Sequence, residues 1–277
     1  MLDTICPMDF SNGFHLVGPG EAWLYLSNLI RPLRQDQVRV VIFGQGRTGS
    51  TVLESLICST GHFEENGEVL NVQRYGQLSY PVQYVLGLAK WRSKVNFIFH
   101  VKIYQLTRNR RKPVDPGLFL RTLSKNGWKI IYIRRENVLK QVLSALVANQ
   151  RQNYHKRDDR PENLKLLVDC DDFVKRVFRR LRFEENEALA LEGLEYESVV
   201  YESDLDQGSV HQLTVDRILS FLSLEKRPVF TGYRKINKQP MSELIINYEE
   251  FAACIKQHGW EVLLDSRYPE LGAQKAE

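Results

Sequence analysis

The stretch Val38-Arg39-Val40-Val41-Ile42-Phe43 is apolar at every position but one, and it runs directly into Gly44-Gln45-Gly46-Arg47-Thr48-Gly49. A strand with one face in water alternates apolar and polar residues. A nearly continuous β-branched run needs cover on both faces, as a strand inside a parallel sheet has. Ser50 to Ser59 then reads as a helix, so the junction is a strand, a glycine turn and a helix. The same alternation recurs downstream. Asn96 to Tyr104, Trp128 to Ile133 and Glu197 to Tyr201 read as strands. Asn137 to Asn149, Asp171 to Leu191 and Val210 to Leu222 read as helices. Strands alternating with helices predict an α/β class: a single domain over 38–277 with a central parallel sheet flanked by helices. Residues 1–37 are expected to be an irregular segment packed on that domain, broken by Gly13, Gly18, Pro19, Gly20 and Pro32. Arg151 to Asn163 is polar and charged and reads as a surface loop.

Composition excludes several classes. The chain has 277 residues, 43% hydrophobic and 26% charged, which are globular proportions. Lys and Arg number 38 against 34 Asp and Glu, a net +4. That balance suits a small anionic ligand and is weak for a nucleic-acid binder, so no nucleic-acid partner is expected. No stretch approaches the roughly 18 apolar residues of a membrane span. Cys6, Cys58, Cys170 and Cys254 form no CxxC pair, and the histidines show no ligand spacing. A protein of the reducing cytoplasm, with no metal, is the expectation; the N-terminus has no basic start followed by an apolar block.

A glycine turn between a buried strand and a helix aims several backbone N–H groups and a helix N-terminus at one point, which makes an anion site. Arg47 adds charge there, and Thr48, Ser50 and Thr51 add hydroxyls. The Gly44-x4-Gly49 spacing matches a phosphate loop, but Ser50 stands where its lysine belongs, which argues against a Mg-nucleotide hydrolase. The run Gly46-Arg47-Thr48-Gly49-Ser50-Thr51-Val52-Leu53-Glu54-Ser55-Leu56 resembles the 5′-phosphosulfate loop of sulfotransferases. Those enzymes take 3′-phosphoadenosine 5′-phosphosulfate (PAPS) and release adenosine 3′,5′-bisphosphate. In the carbohydrate-type members an arginine precedes the small-Gly-Ser run, as Arg47 does here. The phenol and steroid enzymes have lysine there and resemble the chain less. The resemblance implies a P-loop-like sulfotransferase fold that requires no metal, with Arg47, Thr48, Gly49, Ser50 and Thr51 at the donor.

Two further blocks carry the resemblance. Ile131-Tyr132-Ile133-Arg134-Arg135 ends a strand in arginines, and a helix bearing Ser144 follows. Ligands sit at strand C-termini in such sheets, and an arginine fork holds phosphate in a bidentate grip. In sulfotransferases this unit resembles the 3′-phosphate site, which implies Arg135 and Ser144, with Arg134 as rival. Gly232-Tyr233-Arg234-Lys235-Ile236-Asn237-Lys238-Gln239-Pro240 resembles the basic loop that closes over the 3′-phosphate, through Arg234, Lys235 and Lys238. The likeness spans about Arg39 to Tyr248 in scattered blocks and is nearest to nodulation-type and trehalose-type bacterial enzymes.

Sulfuryl transfer needs a base for the acceptor. Phe63-Glu64-Glu65-Asn66-Gly67-Glu68-Val69-Leu70-Asn71 lies just past the first helix. The resemblance implies a glutamate there: Glu68, with Glu65 as second choice. His100 and Lys102 alternate on the second strand and so share a face. His100 is an alternative base, and Lys102 is placed to steady the sulfuryl group. Glu202, in a Tyr-Glu pair that also occurs in the family, reads as structural. Arg108 to Lys112 and the arginines of 175–182 read as solvated faces that can attract an anionic acceptor. The expected activity is transfer to a hydroxyl, or an amine, of a glycan, glycolipid or other small natural product. The rivals are a P-loop nucleotide kinase and a nucleotide- or polyanion-binding module without turnover.

Overall fold

The apolar run of the first strand is buried along its whole length, Arg39–Gly44. The computed structural model describes residues 18–32, 34–92, 96–151, 164–233 and 239–264. In chain order the elements are α1 (Pro19–Ile30), β1 (Arg39–Gly44), α2 (Ser50–Ser59), β2 (Phe63–Glu64), α3 (Val72–Tyr75), α4 (Pro81–Trp91), β3 (Asn96–Lys102), α5 (Ile103–Leu106), α6 (Pro116–Lys125) and β4 (Trp128–Arg134). They continue with α7 (Val138–Arg151), α8 (Cys170–Leu191), β5 (Tyr196–Val200), α9 (His211–Phe221), α10 (Met241–Leu244) and α11 (Tyr248–Gln257). The described residues group into two compact units, one within 1–136 and 183–231, the other within 137–182 and 232–277.

The first unit holds a five-stranded sheet in the order β2-β3-β1-β4-β5. Every pairing is parallel. Alternate residues of the inner strands enter different cores, which is why these strands read as continuous apolar runs. Val41 and Phe43 join Phe97, Phe99, Ile130 and Tyr132 on one face, under α4 and α6. Val40 and Ile42 join Ile98, Ile131 and Ile133 on the other, under α2 and α9. The α/β class with a helix-flanked parallel sheet is therefore what the chain forms.

Register decides where a site can lie. Gly44 pairs with Lys102 on one side and with Ile133 on the other, so three strands end level. After β1 the chain builds toward β3 and β2, then crosses to β4 and β5. This reversal falls at β1, and at such a reversal open α/β sheets bind ligands beyond the strand C-termini.

The second unit gathers α7, the first half of α8, α10 and α11 around Leu139, Val142, Phe173, Val177, Phe251 and Ile255. Phe173 and Phe251 meet edge-on at 5.0 Å between centroids. A parallel bridge joins Leu166 to Ile245.

One expectation is corrected. Residues 19–30 are not irregular but form α1, because Pro19 occupies the start of the helix, where its missing N–H and fixed φ cost nothing. Leu24 and Ser27 of α1 are buried, and α4 approaches so closely that a Cβ on Gly87 would lie 1.9 Å from the Leu24 carbonyl oxygen. Among the described residues no helix is long and apolar enough to cross a membrane.

Candidate active site

The glycine turn between β1 and α2 is shaped by two close approaches and a left-handed stretch of backbone. A Cβ on Gly44 would fall 2.2 Å from the Ile133 carbonyl oxygen, and one on Gly46 would fall 2.4 Å from the Tyr104 hydroxyl. Gly49 has φ +92°, open to glycine and costly for other residues, and precedes the first turn of α2. Between them Arg47 itself sits at φ +69°. A non-glycine residue in that region marks a backbone held by its surroundings. Thr48 is buried and ties the turn internally by donating its hydroxyl to the Gln45 carbonyl at 2.8 Å. The N-cap of α2 is Gly49, which has no side chain to cap it, so Ser50 and Thr51 stand at a helix N-terminus whose amide dipoles favour an anion.

Arg135, one residue beyond β4, braces this turn. Its Nη1 donates to the Arg47 carbonyl at 3.3 Å, and its guanidinium lies over the Tyr201 ring at 4.4 Å. Its Nε stands 3.4 Å from Glu202 Oε1. The other Glu202 oxygen accepts the Glu136 N–H at 2.9 Å. Burial pushes the Tyr201 phenol up to about 12, so it remains a neutral platform for the guanidinium. Glu202 thus serves as a strut. Arg134 turns away to Glu136, at 3.0 Å. Ser144 lies half-buried on α7, in the second unit. Arg234, Lys235 and Lys238 lie outside the described residues.

A chain of ionisable groups lies beside the turn, on the α2 face of the sheet. His100 and Lys102, two apart on β3, both reach Glu68, as their alternation requires. Lys102 Nζ donates to Glu68 Oε1, and its stem runs 3.5 Å from where a Gly46 Cβ would lie. Glu68 Oε2 accepts from Gln105 and, at 3.1 Å, from Asn71. Behind them His100 Nδ1 meets buried Glu54. Burial works to raise the Glu68 carboxyl, but the contact with His100 and the charge and hydrogen bond of Lys102 outweigh it and hold the group well below the usual carboxylate range. Burial likewise works to lower His100, and Glu54 and Glu68 together raise it. Glu65 is exposed on the outer side of the same loop.

Sequence reasoning therefore grouped Glu68, His100 and Lys102, which the fold brings together, and missed Glu54, Tyr104 and Gln105. Glu54 carried a signal: it is an acid among Leu53, Leu56 and Ile57 on the buried face of a short helix. Nothing local marks Tyr104, whose ring packs on Phe183 at 5.8 Å while its hydroxyl meets Gly46. Among the described residues no three His, Cys, Asp or Glu side chains gather as a metal centre would.

No protein family matches the sequence, and no curated relative does. Among solved structures, a sulfotransferase from Alicyclobacillus acidocaldarius is similar to 82% of this chain and 96% of its own, at 10% identity and a TM-score of 0.48. Mouse sulfotransferase SULT7A1 complexed with PAP is similar over 74% of this chain and 65% of its own, at 14% identity and 0.40. A sugar kinase from Janibacter is similar over 69% and 96%, at 18% identity and 0.32.

Proposed function

We propose that the chain is a PAPS-dependent sulfotransferase acting on a hydroxyl of a glycan, glycolipid or other small natural product, with an amine as the other nucleophile its chemistry allows. The observation that carries this reading is the pairing of an anion turn that has Ser50 in place of the phosphate-loop lysine with a carboxylate, Glu68, whose lysine partner runs alongside that turn.

In this reading Arg47, Thr48, Gly49, Ser50 and Thr51 take the 5′-phosphosulfate at the head of α2, and Arg135 takes the 3′-phosphate, for which the family resemblance also names Ser144, Arg234, Lys235 and Lys238. Glu68 accepts the proton of the acceptor hydroxyl. The acceptor oxygen forms a bond to sulfur as the sulfur–oxygen bond to the 5′-phosphate breaks, and that bonding pair leaves with the phosphate. By analogy with phosphoryl transfer, the protein's work is to align the two oxygens and to neutralise charge on the leaving one. Arg47 and the turn amides face that charge, and Lys102 lies between it and Glu68. A bound anion draws Lys102 toward itself, which loosens its hold on Glu68 and makes the carboxylate a stronger base. Glu68 is preferred over Glu65 because Glu68 is paired with Lys102, whereas Glu65 lies exposed.

Calorimetric titration without added metal tests the reading, with adenosine 3′,5′-bisphosphate beside AMP, ADP and Mg-ATP. Tight binding that requires the 3′-phosphate supports it. Preference for Mg-ATP would make the turn that of a kinase, and binding of none of the four would leave the fold without this chemistry.

A further inference from the structure

Glu54 lies in the run that begins at the anion turn but has no role assigned there, yet it is 1% exposed and accepts three hydrogen bonds. We propose that Glu54, acting through His100, is a positioning residue that holds Glu68 in place as an ionised carboxylate. The proposal rests on the reading of Glu68 as the base.

Glu54 has two tasks, one for each oxygen. Oε1 accepts the backbone N–H groups of Asn66 and Gly67, at 2.8 and 2.7 Å. It therefore fixes the turn immediately before Glu68, and His100 clamps the same turn by donating its backbone N–H to the Gly67 carbonyl at 3.1 Å. Oε2 meets His100 Nδ1. Oε1 already accepts two N–H donors, and Oε2 accepts from the ring, so Nδ1 is the donor of that contact. The opposite nitrogen, Nε2, is buried without a hydrogen-bond partner and faces Glu68 Oε1 at 3.5 Å. A lone pair there would oppose a carboxylate. A second proton turns that opposition into attraction, so the ring is an imidazolium between two carboxylates.

The charges around the ring agree. Glu54 faces it from α2, Glu68 from the loop after β2, and Lys102 follows two residues on along its own strand, while the neighbour across β1 is apolar Ile42. Two anions and two cations then balance, with Glu54 and His100 buried and Glu68 and Lys102 partly exposed. The ring already holds both of its protons, so it cannot take one from an acceptor. His100 is thereby removed as a base, and its work is to keep Glu68 ionised and aimed.

The test is Glu54→Gln in the full chain, read by the ring Cε1–H signal of His100 in a two-dimensional NMR titration. His100→Gln supplies the assignment. The parent should keep the imidazolium position from about pH 5.5 to 8.5, and Glu54→Gln should bring a titration midpoint inside that window. With turnover in hand, the acid limb of kcat/KM should move up by about one pH unit, because Glu68 loses a cationic neighbour. A purely structural role for Glu54 would lower activity without moving that limb. Should Glu54→Gln fail to fold, Glu68→Gln removes the other carboxylate and must also bring the ring into titration. A parent His100 that titrates near 6.5, or a ring unmoved in the variants, overturns the proposal. The NMR measurement uses no donor or acceptor, so its outcome is independent of adenosine 3′,5′-bisphosphate binding.

Discussion

Replacing Gly44 by alanine should damage the fold, whereas the same change at Gly46 should damage only the site. Gly44 is the last residue of β1, between β3 and β4. Its added methyl would stand 2.2 Å from the backbone oxygen of Ile133, against 3.4–4 Å for ordinary contact. Relief needs about 1 Å of movement between strands whose spacing is set near 4.8 Å by their hydrogen bonds. Backbone on a central strand has no freedom to swing away. Overpacking costs about 1–3 kcal/mol, and loosening one or two ladder bonds adds about 1 kcal/mol each. A total near 3–4 kcal/mol corresponds to a melting temperature lower by about 10 °C for a unit of this size. At Gly46 the obstacle is the Tyr104 hydroxyl at 2.4 Å, the tip of a side chain that can turn aside. Gly46→Ala should then melt within about 2 °C of the parent. Its methyl and the displaced tyrosine would crowd the anion turn, so adenosine 3′,5′-bisphosphate should bind at least about tenfold more weakly, or about 1.4 kcal/mol. Thermal melts with calorimetry on both variants decide the matter. A Gly44→Ala protein that melts with the parent would show that β1 and β4 are not held at this spacing, and the reasoning would fail.

Other consequences are as direct. If Arg135 serves the 3′-phosphate as proposed, Arg135→Ala should weaken adenosine 3′,5′-bisphosphate about 10- to 100-fold and AMP by clearly less, the smaller loss reflecting its brace on the Arg47 carbonyl; equal losses for both ligands would contradict that assignment. Arg134→Ala, whose guanidinium turns to Glu136, should change either affinity by less than about threefold. Stability should also depend on pH at two ends. Glu68 is depressed in the folded chain, so what it contributes is present above the ordinary carboxylate value of 4.5 and is lost as pH falls through the depressed one. His100 is raised, so its contribution is whole below 6.5 and is lost as pH rises through the raised value. Urea midpoints across the pH range should therefore show the parent's advantage over Glu68→Gln greatest near neutrality and shrinking in acid; an advantage that grew in acid would reverse the assignment.

The strands that carry the site could be read from the sequence because burial on both faces leaves a local trace. β1 and β4 fall within a residue of expectation, and α2 matches at both ends. The strand read to Tyr104 stops at Lys102, because the chain turns there into α5 and brings the Tyr104 hydroxyl to Gly46. α4 and α6 were left out of the reading, for different reasons. α6 announces itself: Asp115 accepts from the Leu118 N–H as N-cap, and Pro116 follows. α4 hides behind Gly87, a helix-weakening residue present because α1 crosses there. The anion turn was legible because its parts are contiguous. The Glu54–His100 contact was not, since 46 positions separate the two residues and only the sheet brings them together.

That contact also explains why one short helix suffices to join two chemical tasks. α2 begins with Ser50 at the anion turn, and Glu54 follows one turn later on the inner face. Whatever fixes the head of this helix against an anion also fixes Glu54, and through it the turn that carries Glu68. The anion turn and the loop of Glu68 are thus linked through one helix rather than by two independent loops. In the proposed mechanism, a Glu68 held this way keeps its geometry whether or not the acceptor is present, which is what in-line transfer between two bound oxygens demands. The arrangement also places a cost on α2: an acid buried among leucines destabilises the helix unless its partners remain. Glu54 is tolerated there because Asn66, Gly67 and His100 all donate to it, and removing any one of them should be felt at Glu68 as well.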